Sequence, residues 1–507
     1  MNACSWISNG GRLLLAELKP LSYQEFGRTL ASLLAGDGRL AACFADLQEN
    51  ESLPLSIYGI VADDASHRLA VLRAGAGSVI ESQTRLIPQL QLFEREIAEQ
   101  FGVVFEGHPR FKPVRFHAPW TGEKDAWMRN PREHPRVGDM EYFRVEGEEI
   151  HEVGVGPVHA GVIEPGHFRF QCYGEKVLHL EISLGYQHRG IERLLSGGPW
   201  PQTSYQIETA AGDTTIGHMT AYSMVMESLA GITPHDRTQV LRFLVLELER
   251  LANHVGDIGA LAGDVGFLPT AAYCGRLRGD YLNMTAAICG SRFGRGMVRP
   301  GGVLFDVSTV LAEQLRQKLT EAAGHTRGAL ELFFEASSVL ARLEGVGKVT
   351  PADAAALGLA GVAAKACGID SDIRRHHTAG ICFQENFTTA TESGGDVYAR
   401  ARVRQQEIEQ SLDLVNRCLE SPVRGPLQSA VGSLAPESLA VGMVEGWRGP
   451  VTHAAITDRD GRFRRYKMVD PSFFNWSGLA MAMRNEQISD FPLCNKSFNL
   501  SYCGFDL

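Results

Sequence analysis

A few polar side chains in separate stretches of this sequence are candidates for acid–base chemistry. Asp213, Thr214 and His218 lie within one short stretch, Arg448 follows a glycine and a tryptophan, and Ser501 lies near the end of the chain. A carboxylate, a histidine and an arginine around one pocket can bind an anion or relay protons. These side chains are candidates for a site if the fold brings the stretches together.

The composition excludes several classes of protein. The chain has 507 residues, which predicts two or three domains. A formal net charge of −10 is unfavourable for a general nucleic-acid role. No run of about 18 apolar residues is present, and the N-terminus lacks the features of a secretory signal. The 10 cysteines never occur as Cys-x-x-Cys, which argues against zinc or an iron–sulfur cluster held by this chain alone.

Residues 208–222 have the framework of a metal-site loop without its ligands. They read Glu-Thr-Ala-Ala-Gly-Asp-Thr-Thr-Ile-Gly-His-Met-Thr-Ala-Tyr. This resembles the first metal-binding segment of the large subunit of membrane-bound, complex I-related nickel–iron hydrogenases, roughly Glu-Arg-Val-Cys-Gly-Ile-Cys-x-x-x-His-x-x-Ala-Tyr. Without a gap, the cysteines of that pattern fall on Ala211 and Thr214, and its histidine falls on His218. Neither alanine nor a neutral hydroxyl binds nickel as a thiolate does.

Residues 489–507 repeat this pattern at the other end. They resemble the family's last segment, roughly Ser-Asp-x-Pro-Leu-x-x-x-Ser-x-Asp-Pro-Cys-x-x-Cys-Thr-Asp-Arg, whose cysteines fall on Ser501 and Gly504. Cys503 and Cys494 are out of register with them. The resemblance therefore implies that this chain binds no nickel–iron cluster. The sequence ends where a processed subunit of that family ends, so we also expect no maturation tail.

Residues 1 to about 115 are predicted to form a small α+β unit. Residues 53–60 and 68–74 have β-strand composition, and 89–101 have helical periodicity. That helix contains Glu-Arg-Glu-Ile-Ala-Glu-Gln-Phe-Gly, which resembles the Glu-Arg-Glu-x-Tyr-Asp-x-Phe-Gly pattern of the 30-kilodalton-type subunit of complex I. Taken alone, the pattern also fits an amphipathic helix with a solvated charged face. Residues 116–150 are predicted to be an exposed linker that packs locally.

Residues 151–507 are predicted to form a mostly helical domain similar to the hydrogenase large subunit, opening with a small sheet over 168–184. Gly-Pro-Val-His at 156–159 resembles the opening of the complex I quinone-site subunit and makes His159 a candidate pocket residue. Glu192 ends a Tyr-Gln-His-Arg-Gly-Ile-Glu stretch whose glutamate, in the family, lies on a proton path. Further resemblances follow in the family's order at residues 292–302, 366–376, 395–400 and 444–449.

One helix is predicted from periodicity alone, over residues 240–258. Its apolar residues recur at helical spacing, and Glu247, Arg250, His254 and Asp257 share a neighbouring face. Such a polar stripe is typical of an amphipathic surface helix. It can equally form an internal hydrogen-bond chain, and both interpretations stay open.

The resemblance also implies where the site lies. In that family the two cysteine segments and an arginine loop converge on one buried site, so Ala211, Thr214, Ser501 and Gly504 are expected to lie together beside Arg448. The candidates are Glu192, Asp213, His218 and Arg448 for catalysis, and His159, Thr214 and Ser501 for lining the pocket. A buried guanidinium needs a carboxylate or a bound anion, and Asp213 and Glu192 are the expected partners.

Together these patterns predict an α+β, metal-free large subunit of a membrane-associated, complex I-related respiratory complex. We expect it on the cytoplasmic face of the membrane, coupling redox or conformational change to ion translocation. The resemblance implies three kinds of partner: a small iron–sulfur subunit, a ferredoxin-like subunit and membrane ion-translocating subunits. Two alternatives stay open, namely an oxidoreductase subunit with a rebuilt quinone pocket and a non-catalytic scaffold with a vestigial site.

Overall fold

The N-terminal part of the chain folds as an antiparallel sheet with two helices. The computed structural model describes residues 4–47, 55–122, 125–129, 135–161, 163–378, 387–420 and 423–507. The elements of this part are β1 (Ser5–Ile7), β2 (Arg12–Leu14), α1 (Tyr23–Leu34), β3 (Gly38–Leu47), β4 (Leu55–Asp63), β5 (Arg68–Ala76), β6 (Val79–Glu81), α2 (Gln91–Phe101) and β7 (Val104–Glu106). Strands β1, β5, β4 and β3 form the sheet in that order, and β6 pairs with β7 in parallel.

The predicted elements of this part are confirmed. Strands β4 and β5 correspond to the predicted strands, although residues 53 and 54 lie outside the described residues. Helix α2 corresponds to the predicted helix and follows a 3-10 turn at Pro88–Leu90. It ends at Gly102, whose φ of 74° is a left-handed conformation that glycine adopts without steric cost.

The charged residues of α2 are buried, so the interpretation of a solvated charged face is wrong. Glu94, Glu96 and Glu99 are each 0 % exposed. Glu94 accepts hydrogen bonds from side chains of the N-terminal part, and Glu99 accepts them from the backbone N–H groups of residues 114–116. Glu96 forms an ion pair with Lys467 at 2.7 Å, which joins α2 to the C-terminal part of the chain.

The rest of the chain is mainly helical. Its strands are β8 (Ile150–Val155), β9 (His167–Tyr173), β10 (Lys176–Ser183), β11 (Val298–Arg299), β12 (Gly302–Val303), β13 (Ser438–Gly446), β14 (Gly449–Thr457) and β15 (Phe463–Val469). Its helices are α3 (Ile191–Leu195), α4 (Thr203–Ile207), α5 (Thr215–Ala230), α6 (Asp236–Asp264), α7 (Leu268–Cys289), α8 (Thr309–Glu335), α9 (Ser337–Leu343), α10 (Pro351–Leu357), α11 (Gly361–Lys365), α12 (Ile373–His376), α13 (Val397–Glu420), α14 (Ser472–Ala482), α15 (Phe491–Phe498) and α16 (Tyr502–Phe505). The strands predicted within residues 168–184 are confirmed as β9 and β10, and β8 joins them as an additional, unpredicted strand. The helix predicted over 240–258 is confirmed and lies within α6.

A second four-stranded sheet, β15-β14-β13-β2, was not predicted from the sequence. Every residue of β13 is buried, and a continuous apolar run cannot be assigned to strand or helix by periodicity. Strand β2 comes from the N-terminal part and pairs antiparallel with β13, so residues 12–14 complete a sheet of the C-terminal part. The domain limits near residues 115 and 150 stay predictions.

This second sheet separates two groups of buried polar side chains. Successive residues of a strand point to opposite faces, so Tyr466 of β15 lies opposite to Arg465 and Lys467. Helix α5 packs against β13 and β14 on the face of Tyr466, whereas α3 packs against β15. Among the described residues, no helix is long and apolar enough to cross a membrane.

Candidate functional site

The loop before α5 and the C-terminal segment lie against each other. Arg448 joins the two segments, because its guanidinium pairs with the Asp213 carboxylate and donates to the Asn499 carbonyl. Ala211 is 1 % exposed, Thr214 2 % and Ser501 3 %. The hydroxyl of Ser501 accepts a hydrogen bond from the Gly504 N–H at 2.9 Å and caps α16. These positions therefore belong to a closely packed interior.

The space that a side chain at position 504 would need is filled by another residue. A Cβ atom added to Gly504 would lie 2.7 Å from Cγ of Asp470 and 2.9–3.0 Å from both carboxylate oxygens. Asp470 is 1 % exposed and comes directly after β15. Its carboxylate thus fills the space that any side chain at position 504 would need. Sequence reasoning missed Asp470 because it lies outside both matched segments.

Arg448 forms a bidentate ion pair with Asp213. Both guanidinium–carboxylate contacts measure 2.7 Å. The Arg448 side chain is 5 % exposed and that of Asp213 is 34 % exposed, so the carboxylate lies near the protein surface and the guanidinium lies in the interior. Arg448 also donates to the Asn499 carbonyl at 2.5 Å, and its guanidinium lies 3.9 Å from the Trp447 ring centroid. Burial alone would lower the pKa of Arg448, but Asp213 outweighs this effect and raises the pKa, so Arg448 stays charged.

A second carboxylate lies beside this pair. Glu249 of α6 accepts hydrogen bonds from the N–H groups of Ile216 and Gly217 at 2.8 and 3.2 Å, which caps the first turn of α5. Burial of its carboxyl group raises the pKa of Glu249 to about 8, and the neighbouring Asp213 contributes to the rise. Glu249 can therefore hold a proton near neutral pH.

His218 lies on the inner side of the same loop and is 0 % exposed. Its Nε2 atom lies 3.3 Å from a carboxylate oxygen of Asp470, and its Nδ1 atom lies 3.0 Å from Nε2 of His453. The Nδ1 atom of His453 lies 2.8 Å from the hydroxyl of Tyr466. Four buried side chains thus form one continuous hydrogen-bonded row.

Glu192 and His159 have other partners. Glu192 is 1 % exposed and pairs with Lys467 and Arg465, each at 2.9 Å, so Asp213 rather than Glu192 holds Arg448. Lys467 also contacts Glu96 of α2, which makes Glu192 part of the contact between α2 and the second sheet. The His159 ring is hydrogen-bonded to the Gly166 carbonyl at 2.8 Å and packs on Phe168.

The polar stripe of α6 faces inward, which decides between its two interpretations. Glu247 and His254 are 0 % exposed and Arg250 is 1 % exposed. Arg250 pairs with Glu247 at 3.1 Å, and His254 lies 2.7 Å from a carboxylate oxygen of Glu407 on α13. Asp257 pairs with Arg404 at 2.6 Å. The stripe is an internal hydrogen-bond network rather than the surface of an amphipathic helix.

The donor set does not fit a nickel–iron cluster. Alanine and glycine offer no side-chain donor, and the hydroxyls of Thr214 and Ser501 are neutral. Asp470 takes up the space at the fourth position. Burial raises the pKa of the Cys503 thiol, which disfavours the thiolate that a metal would need. In the part of the chain that the structure describes, no group of three or more His, Cys, Asp and Glu side chains could hold a metal ion.

Comparisons with known proteins relate the two parts of the chain to two subunits. The family "Respiratory-chain NADH dehydrogenase, 30 Kd subunit" matches residues 30–131, and the family "Respiratory-chain NADH dehydrogenase, 49 Kd subunit" matches residues 264–438. The chain thus fuses regions of both kinds, with an N-terminal α+β region and a mostly helical C-terminal region.

Several curated proteins are similar along most of their length. The carbon monoxide-induced hydrogenase of Rhodospirillum rubrum is 29 % identical over 348 residues, which are 68 % of this chain and 96 % of that protein. Formate hydrogenlyase subunit 5 of Escherichia coli is 26 % identical over 435 residues, 83 % of this chain and 76 % of that protein. The C/D subunit of NADH-quinone oxidoreductase from Bacteroides thetaiotaomicron is 27 % identical over 382 residues, 70 % of this chain and 72 % of that protein. The chain is distantly homologous to these hydrogenase and oxidoreductase subunits.

Proposed function

We propose that this chain is a metal-free large subunit of a membrane-associated, complex I-related complex, in which it couples a redox or conformational change to ion translocation. The observation that supports the proposal is a charged, hydrogen-bonded site at the positions that resemble the family's metal site. The four positions in register with the family's thiolates are Ala211, Thr214, Ser501 and Gly504, and Asp470 fills the space beside Gly504.

The chemistry of this site suits proton and charge movement. Arg448 and Asp213 form a pair that joins the inside of the protein to its surface, because only the carboxylate is partly exposed. Glu249 beside them, with its pKa raised to about 8, can take up or release a proton near neutral pH. A change that separates Arg448 from Asp213 would leave a buried cation and shift the protonation of nearby carboxyl groups.

The partners follow from the family resemblance and are part of the same proposal. They are a small iron–sulfur subunit, a ferredoxin-like subunit and membrane ion-translocating subunits. Their presence would supply the electron transfer and the ion path that the described residues do not provide.

The test is purification of the native complex through a tag on this chain. We expect the three kinds of partner subunit, less than about 0.1 nickel per chain when nickel and maturation proteins are supplied, and ion translocation in vesicles that depends on the electron donor. One nickel per chain would contradict the metal-free proposal. Recovery of the chain without membrane subunits would contradict the coupling proposal.

A second candidate is a non-catalytic scaffold. The complete set of contacts that the Arg448 guanidinium makes within the protein favours it. Its guanidinium already contacts Asp213, the Asn499 carbonyl and the Trp447 ring, so no ligand is needed to balance its charge. The Arg448→Met variant separates the two candidates. A scaffold predicts lower stability with normal translocation in the complexes that assemble, whereas a coupling site predicts assembled complexes without translocation.

A further inference from the structure

The buried row of Asp470, His218, His453 and Tyr466 has one hydrogen-bond order in which both imidazoles are neutral. An ionised carboxylate accepts and never donates, so Nε2 of His218 must carry the proton of their contact. A neutral His218 then accepts at Nδ1, which requires His453 to donate from Nε2. His453 in turn accepts at Nδ1, so the hydroxyl of Tyr466 donates to it. All three contacts are satisfied with both imidazoles neutral.

The environment of each group agrees with this order. Burial alone would raise the pKa of Asp470, but the hydrogen bond from His218 and the charge of Arg448 hold it below its usual value. Burial and the neighbouring His218 lower the pKa of His453 well below its usual value. Burial raises the pKa of Tyr466, and Tyr222 and Glu192 add to the rise. These shifts favour an ionised carboxylate at Asp470, a neutral imidazole at His453 and a phenol at Tyr466.

The two ends of the row lie in different surroundings. Asp470 lies against Gly504, within the electrostatic reach of Arg448. Tyr466 lies on the second sheet with Glu192 nearby, and Glu192 pairs with Lys467, which contacts Glu96 of the N-terminal part. The row thus runs from the Arg448 site to the face of the second sheet that packs against α5, and the sheet separates it from the ion pairs of Lys467.

We propose that Asp470, His218, His453 and Tyr466 form a proton relay whose terminal acceptor is Asp470. Its part in ion translocation rests on the proposed function, whereas its hydrogen-bond order does not. In the net step, hydronium beyond Tyr466 gives a proton to the phenol oxygen, and the phenol proton passes to Nδ1 of His453. The Nε2 proton of His453 passes to Nδ1 of His218, and the Nε2 proton of His218 passes to Asp470. Hydronium becomes water, the carboxylate becomes a carboxylic acid, and both imidazoles stay neutral in the opposite tautomer.

The position of Arg448 sets when Asp470 accepts the proton. While Arg448 lies close, its charge favours the ionised carboxylate. A change that separates Arg448 from both Asp213 and Asp470 removes that support, and the carboxylate of Asp470 then takes a proton through the relay. The relay therefore converts a displacement of Arg448 into the uptake of one proton.

The first test determines the tautomers of His218 and His453 by NMR of the full-length protein with ¹⁵N-labelled histidine. The signals are assigned by their loss in His218→Gln and His453→Gln. At about pH 7 we expect both rings to be neutral with the proton on Nε2. A charged ring at either position, or a proton on Nδ1, overturns the relay.

The second test is proton translocation by the assembled complex with Tyr466→Phe. The control is Tyr281→Phe, which also removes a buried phenol hydrogen bond, here 2.9 Å from Thr326 between α7 and α8. We expect translocation to fall at least about 10-fold with Tyr466→Phe and to stay unchanged with the control, although both lose stability. Equal translocation by the two variants overturns the relay. If the wild-type complex translocates no protons, the proposed function fails and the tautomers alone decide the hydrogen-bond order.

Discussion

The ion pair between Arg448 and Asp213 offers the sharpest test of the site, through a double-mutant cycle. Asp213→Asn leaves a guanidinium that is only 5 % exposed with neutral partners alone, and Arg448→Met leaves a carboxylate that is 34 % exposed and can turn toward water. Breaking a buried pair costs about 3–5 kcal/mol, and partial exposure of Asp213 lowers this figure. We expect losses in the free energy of unfolding of about 3 kcal/mol for Asp213→Asn and about 2 kcal/mol for Arg448→Met.

The double variant should recover part of this loss, because it leaves neither charge without its partner. We expect a coupling energy of about 1–2 kcal/mol from urea unfolding of the four proteins. The control cycle is Arg316→Met with Glu420→Gln, an exposed pair at 3.2 Å whose side chains are 39 % and 46 % exposed, with coupling below about 0.5 kcal/mol. Additive losses at Arg448 and Asp213, within about 0.5 kcal/mol, would refute the reasoning.

Two further predictions concern pH and proteolysis. Burial raises the pKa of Asp506 to about 7 against the opposing N–H donors of Gln187 and Gly185, so the folded protein binds this proton more tightly than the unfolded chain. The contribution of the protonated Asp506 to stability is complete below about pH 4 and is lost as the pH rises to about 7. Asp506→Asn should remove this part of the pH dependence. An identical slope of the free energy of unfolding against pH in variant and wild type would contradict the prediction. Trypsin should cut first at the exposed Arg144, in the irregular segment of residues 141–147, whereas early cleavage within 240–258 would contradict the buried environment of α6.

Much of the fold could be predicted because its signals are local. The spacing of apolar residues predicted α6, β-strand composition predicted β4 and β5, and alternation predicted the strands of the opening sheet within residues 168–184. The second sheet was missed because β13 is buried along its whole length, and because β2 joins it from the far end of the sequence. Pairing between strands so distant in sequence is decided by packing and leaves no periodic signal in either strand.

Burial of charge was the least predictable property. The glutamates of α2 and the stripe of α6 have the spacing of solvated helix faces, yet Glu96, Glu247 and His254 are 0 % exposed. Such groups are stable inside the protein because each has an oppositely charged or hydrogen-bonding partner from another element. Glu96 has Lys467, and Glu247 has Arg374 of α12 in addition to Arg250 of its own helix. The partners from other elements come from stretches whose proximity only the folded chain reveals.

The candidate site shows which properties an alignment to a sequence pattern can predict and which it cannot. Matching the cysteine pattern without gaps identified four positions that lack thiolates, because that inference concerns the aligned residues alone. Which residue fills the space beside Gly504 is a question of packing, since a glycine leaves volume that a neighbour can occupy. Asp470 does so, and a buried carboxylate there requires donors, which His218 and the Ser472 N–H provide. His218 then needs His453 as a donor, and His453 needs Tyr466. The carboxylate beside Gly504 thus begins the row that we propose as a proton relay.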